Sequence, residues 1–371
     1  MDHTDIDKAN DEQDEMLKSI RISRIIVPML IGAGVVGYMF YSQFKPEEFA
    51  KISWTDHTTF WVSFAVFLLF VRHMAYASRL RILSEKAFSW KKCIELVFIW
   101  EFSSAVSPTS VGGSAAALFV LSQEKLSTAK TTTIVLYSAV QDALFFLSTL
   151  LVFFLIFGIG MIRPEGASGL GVQGMEFAFI GAYSFVLIYG TLFFYGLFIK
   201  PTIVKTVLVF FTKFKWLKRF RPKMEALGDD VVIASKEMKQ KRWPFHVGSI
   251  MSTSVAWFCR FGLLSCLIIA LKPGIVDGFM GEMKLIARLE SMFVIMAGSP
   301  TPGAVGVAEY TFSKFVKDYI PEQGLALIVA SGWRFMTYYF YLLIGTLIIP
   351  NWIRNLINQR KLDRLKREKG R

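Results

Sequence analysis

Six stretches of this chain, at 24–42, 58–77, 131–160, 175–199, 245–271 and 322–349, run for about 20 residues or more with scarcely a charge. A helix on the surface of a soluble protein keeps a polar face toward water. These windows have none, and each is long enough to cross a hydrocarbon layer of ~30 Å. They predict an all-α integral membrane protein with six full transmembrane helices. The composition agrees: 53% of the 371 residues are hydrophobic, 35 are Phe, and the mean hydropathy is +0.45. The net charge of +13 does not point to nucleic acid. The basic residues cluster beside the apolar windows, where anionic lipid headgroups lie, so membrane lipids are the expected partners.

Two further apolar regions, 90–122 and 282–317, are each interrupted near the middle by the same turn. The first reads "SPTSVGGSA" from 107 to 115, the second "SPTPGAVGVAE" from 299 to 309. Broken backbone at membrane depth is tolerated only where protein or a watery cavity satisfies its polar groups. Both regions are therefore expected to be re-entrant helical hairpins.

Lys and Arg set the orientation. The segment 200–243 carries twelve and the tail 350–371 carries eight, which places both in the cytoplasm. The loop "RPEGASGLGVQG" has only Arg163, and the first loop only Lys45 and Lys51, so these face outward. The N-terminus is then inside, like the C-terminus. The hairpin at 90–122 enters from inside and that at 282–317 from outside. The chain becomes a single membrane domain over 1–371 with two halves of one plan, 24–160 and 175–349. This is the inverted-topology repeat of secondary transporters. A shared Ser-Pro-Thr is weak in a chain with 12 Pro; its recurrence at the same place in oppositely oriented halves is what points to a repeat.

At each tip, Pro and Gly leave backbone groups unpaired, and a new helix starts with its positive dipole end toward the protein centre. The candidate substrate-binding tips are Ser107, Pro108, Thr109, Ser110, Gly112 and Gly113, and Ser299, Pro300, Thr301, Pro302, Gly303 and Gly306. Their hydroxyls either cap helices or bind a ligand. Ionisable side chains inside spans cost at least ~2.5 kcal/mol each on insertion scales, and so face a bundle interior or cavity. The candidates for the site are Glu101, Asp142, Arg260, Glu309 and Arg334; Arg288 and Glu290 enter the second hairpin. Arg260 and Arg334 either pair with Asp142, Glu101 or Glu309 or receive an anionic headgroup.

Little suggests catalysis. His3, His57, His73 and His246 are scattered, giving neither a zinc site nor a Ser/His arrangement. Cys93, Cys259 and Cys266 lack metal-ligand spacing. No nucleotide-binding loop is found, so no cofactor is expected and the chain is not expected to be an enzyme. The polar, acidic N-terminus is not a secretory signal, and the first span is expected to stay as an anchor. Residues 224–242 read as an amphipathic helix on the cytoplasmic surface.

At these residues the chain resembles the lysylphosphatidylglycerol synthase transmembrane-region family, also described as flippase-like. "SPTPGAVGVAE" is similar to that family's Pro-x-Pro-Gly-Gly-x-Gly-x-x-Glu pattern, with Ala304 for the second Gly and Glu309 as the acid. Pro108 and Gly112 resemble its Pro-x-x-x-Gly-Glu turn, except that Gly113 stands in place of the acid. "SAVQD" keeps only Asp142 of a Glu-Arg and Asp pattern. The resemblance implies a protein of the cytoplasmic (inner) membrane that moves or handles lipids, without the soluble aminoacyl-transferase domain that some members carry. The leading expectation is a lipid translocase. The alternative is an accessory protein that holds a lipid intermediate for a membrane-associated glycosyl- or acyltransferase.

Overall fold

In the computed structural model, the described residues are 41, 54–107, 109–124, 126–162, 170–213, 218–299, 301, 303, 304 and 306–369. Apart from residue 41, the span expected at 24–42 lies outside them. All secondary structure among the described residues is helical. The first long helix, α1 (Asp56–Leu83), is followed by α2 (Trp90–Val106) and α3 (Thr109–Ser122), then α4 (Thr128–Phe157) and α5 (Leu170–Phe198). Short helices α6 (Thr202–Phe211) and α7 (Arg221–Lys239) lead into α8 (Trp243–Leu271). The broken pair α9 (Gly278–Ala297) and α10 (Val307–Phe315) precedes α11 (Gln323–Arg334) and α12 (Phe340–Lys369). A π-helical turn, Phe335–Tyr339, joins the last two. Five helical stretches among the described residues are long and apolar enough to cross a membrane, as in a multi-pass membrane protein.

Helix starts follow local chemistry. Ser89 and Ser127 accept hydrogen bonds from the backbone N–H groups of Lys92 and Lys130, capping α2 and α4. Some ends differ from the apolar windows. α1 runs past residue 77 to Leu83, because Arg79 is satisfied by partners on other helices instead of ending the span. The basic tail continues the helix of the last span. The amphipathic segment expected at 224–242 begins earlier, as α7, and packs on α6 with Lys205 2.5 Å from Asp229.

α1 and α8 pack along much of their length. Thr58 Oγ1 donates to the Ala270 carbonyl at 3.1 Å, and Arg79 Nη1 to Thr253 Oγ1 at 3.3 Å. The start of one helix thus meets the end of the other, and the pair is antiparallel.

Around this pair the buried apolar residues form two clusters. One gathers α9, α10 and α11 with the C-terminal halves of α4 and α8. The other gathers α2, α3 and the N-terminal half of α4 with the end of α1 and the start of α12. Each broken helix pair therefore sits in its own cluster.

Where α1, α4, α7 and α8 meet at one end, Glu85 accepts hydrogen bonds from Lys130 and from Lys241, the latter at 2.7 Å. Those bonds hold its carboxyl well below the usual range, at about 2.

Candidate functional site

The two breaks are built differently. In the first, α3 resumes directly after the break, with Thr109, Ser110 and Gly112 at its beginning; Pro108 lies outside the described residues. Ser107 Oγ donates to the Ser103 carbonyl at 2.7 Å, so this hydroxyl closes the last turn of α2. A Cβ added at Gly113 would lie 2.8 Å from Ser104 Oγ and 3.2 Å from its Cβ. Lack of a side chain at 113 lets α2 and α3 close on each other, and the acid expected there by resemblance would press on Ser104.

The second break is longer, and Pro300 and Pro302 fall outside the described residues. The hydroxyls of Ser299 and Thr301 lie 2.8 Å apart. Gly303 and Gly306 have φ of 57° and 84°, and Ala304, standing where a second Gly is expected, also has a positive φ of 55°. A Cβ at Gly303 would fall 2.1 Å from the Tyr338 ring, so glycine is required there for space as well as conformation. Glu309, in the first turn of α10, accepts the Gly306 N–H at 2.7 Å. Its other oxygen lies 3.1 Å from Arg334 Nε, in an ion pair whose members are 3% and 5% exposed.

A cavity of about 730 Å³ lies between the two apolar clusters. Ser107 and Gly113 from one break, and Ser299, Thr301 and Gly303 from the other, line it together. Glu101, Asp142, Arg260 and Arg334 also line it, with Arg79, which sequence reading left in the flank of α1.

The carboxylates at the cavity are all taken. Glu101 pairs with Arg72 at 2.8 Å. Asp142 pairs with Arg79 at 2.7 Å and accepts Trp257 Nε1–H at 2.9 Å. Glu309 pairs with Arg334. Neither Arg260 nor Arg334 pairs with Glu101 or Asp142, because the arginines of α1 already do. Arg72 and Arg79 escaped sequence reading, although their spacing held a signal. With Tyr76 they form a ladder on one face of α1, the two guanidinium carbons 5.0 and 4.8 Å from the Tyr76 ring centre.

Three carboxylates thus form ion pairs with three of four arginines, and Arg260 is left with only the longer-range attraction of Glu101, which Arg72 already holds. It has no ion pair and no hydrogen-bond partner among the described residues, and its Nε is buried. Its guanidinium carbon lies 4.5 Å from the Phe293 ring centre and 5.4 Å from that of Trp257. Arg334 Nη2 is likewise buried without a hydrogen-bond partner, beside Tyr338. On the α5 side, Ala178 and Gly181 line the cavity and are exposed. No group of three or more His, Cys, Asp or Glu side chains among the described residues is placed to hold a metal ion.

The family model for the lysylphosphatidylglycerol synthase TM region matches residues 25–345. No curated protein and no solved structure matches the chain.

Proposed function

This chain belongs to the lysylphosphatidylglycerol synthase TM region family, and from that premise we propose that it is a lipid translocase of the cytoplasmic membrane. It passes an anionic phospholipid or lipid-linked headgroup across the bilayer through the cavity, as a carrier and not as an enzyme. The observation that carries this reading is Arg260. A guanidinium at membrane depth without an anion costs at least ~2.5 kcal/mol, and a phosphate oxygen pair matches its fork of donors. Arg334 Nη2 offers a second donor, and the second break lines the cavity with it through Ser299, Thr301 and Gly303.

In this reading α2–α3 and α9–α10 are re-entrant hairpins that enter from the inside and the outside, with both termini and the 200–243 segment in the cytoplasm. The sequence supports the inverted repeat in a way that the shared Ser-Pro-Thr alone does not. Asp142 stands as far beyond Ser107 as Arg334 stands beyond Ser299, and Glu101 as far before Ser107 as Phe293 before Ser299. The antiparallel register of α1 on α8 sets Arg72 level with Arg260. Arg72 meets Glu101, whereas Arg260 meets Phe293. Arg72 thus has an acid against it while Arg260, level with it, has a ring, and a substrate phosphate supplies the anion.

The test is leaflet exchange of labelled phosphatidylglycerol in vesicles holding the purified protein. Arg260→Gln is expected to slow exchange about tenfold or more, the cost of a lost charge-assisted bond. Equal rates would remove Arg260 from the site. No exchange by the unaltered protein, with a transferase co-purifying in fixed ratio, would favour the accessory role instead.

A further inference from the structure

Glu290 lies inside α9, 0% exposed, and does not line the cavity. The Thr149 hydroxyl on α4 is placed to donate to Glu290 Oε1, and Glu290 Oε2 is buried with no partner. Thr149 Oγ1 is also 2.7 Å from the Phe145 carbonyl. A threonine has one hydrogen. When it goes to the carbonyl, which can only accept, the contact with Glu290 becomes a hydrogen bond only if Glu290 carries a proton.

The surroundings agree. On the elements packed against α9, Asp142 is taken by Arg79, Arg260 stacks on Phe293, and Glu309 is taken by Arg334. Lys314 lies over Tyr310, and Glu176 has an interaction of its own. On α9 itself Arg288 pairs with Asp318, Glu282 accepts from Ser265, and Lys284 has another partner. None of them bonds to Glu290. A bare carboxylate here would cost several kcal/mol, so the group is neutral while it stays buried.

Its position gives that proton a task. Thr149 is one turn beyond Phe146 on α4, and Glu290 one turn before Phe293 on α9. The Phe146 and Phe293 rings lie parallel, 6.1 Å apart, in the cavity wall. The α4–α9 contact therefore includes a ring pair on the cavity side and, one turn further from the cavity, the Thr149–Glu290 bond.

We propose that Glu290 is a proton-binding latch on the outer side of the cavity. Protonated, it bonds Thr149 and holds α4 against α9. When the O–H bond breaks and the proton passes to water, the carboxylate needs hydration, α4 and α9 part, and the Phe146–Phe293 wall opens. Reprotonation closes it. Only the direction of opening rests on the translocase reading.

Two measurements test this without a lipid substrate. The infrared spectrum of the purified protein should show the carbonyl band of a protonated, buried carboxylic acid, lost in Glu290→Gln. In a cysteine-free background, Phe153→Cys, one turn beyond Thr149 on α4, should react with a membrane-impermeant maleimide faster as external pH rises. The rate relative to the same protein carrying Glu290→Gln should climb by up to about tenfold per pH unit, the limit for one released proton. Taking that ratio cancels the thiol's own pH dependence. Absence of the band, or one pH dependence in both backgrounds, would overturn the latch. Vesicles that exchange no lipid would reject the translocase reading and leave these results standing.

Discussion

The Arg260 guanidinium carbon lies 4.5 Å from the centre of the Phe293 ring, whereas Arg72 on the neighbouring α1 is paired with Glu101 at 2.8 Å. Phe293→Glu would give Arg260 its missing anion from within the protein. The variant should fold with unchanged or higher melting temperature and lose most of its lipid exchange. Exchange at the original rate would show that Arg260 need not be free for transport.

The Glu309–Arg334 pair is buried on both sides, so removing one partner strands the other. Arg334→Met should cost about 3–5 kcal/mol, as breaking buried ion pairs does. Adding Glu309→Gln should recover part of that, since an amide oxygen can still accept the Gly306 N–H. Thermal unfolding of the two single variants and the double variant reads the coupling.

Glu85 gives a pH dependence of known sign. Its carboxyl sits at about 2, against an ordinary 4.5, through hydrogen bonds first from Lys130 and then from Lys241. The folded value lies below the unfolded one, so its contribution is fully present above about 4.5 and fades as pH falls toward 2. The side chain is 45% exposed, which keeps the contribution under ~1 kcal/mol. Glu85→Gln should lower the melting temperature slightly at neutral pH, and the difference should narrow as the medium is acidified.

Backbone conformation at the second break separates space from strain. Gly303→Ala must adopt a positive φ and meets the Tyr338 ring, whereas Gly274→Ala, at φ 74°, meets nothing within 4 Å. The second should cost about 1–2 kcal/mol, the first more, with loss of exchange. Ala304→Gly relieves a left-handed alanine and should stabilise by up to about 1 kcal/mol. Melting curves of the three variants check the order.

Hydropathy made the helical membrane character and the extents of α4, α5 and α8 legible, because span length is a direct consequence of bilayer thickness. The breaks were legible from proline and glycine. Arg79 was not, since a hydropathy window sees an arginine as the end of a span and cannot see Asp142, which joins it from a distant helix. The same limit left the choice between acid and headgroup open for Arg260 and Arg334. The structure pairs Arg334 with Glu309 and leaves Arg260 without an ion pair among the described residues, an outcome that no spacing along the chain reveals. The π-turn at Phe335–Tyr339 left no mark in the pattern of apolar residues.

Ala178 and Gly181 line the cavity and are exposed, and a Cβ added at Gly181 would meet nothing within 4 Å. Along this turn of α5 no side chain larger than a methyl group stands over the cavity at either position. On the translocase reading proposed above, this is where a lipid would be handled sideways, its head sliding into the cavity while its tails remain dissolved in the bilayer. Such a carrier would desolvate and re-solvate only the few atoms of the head, and chain length would drop out of what it selects.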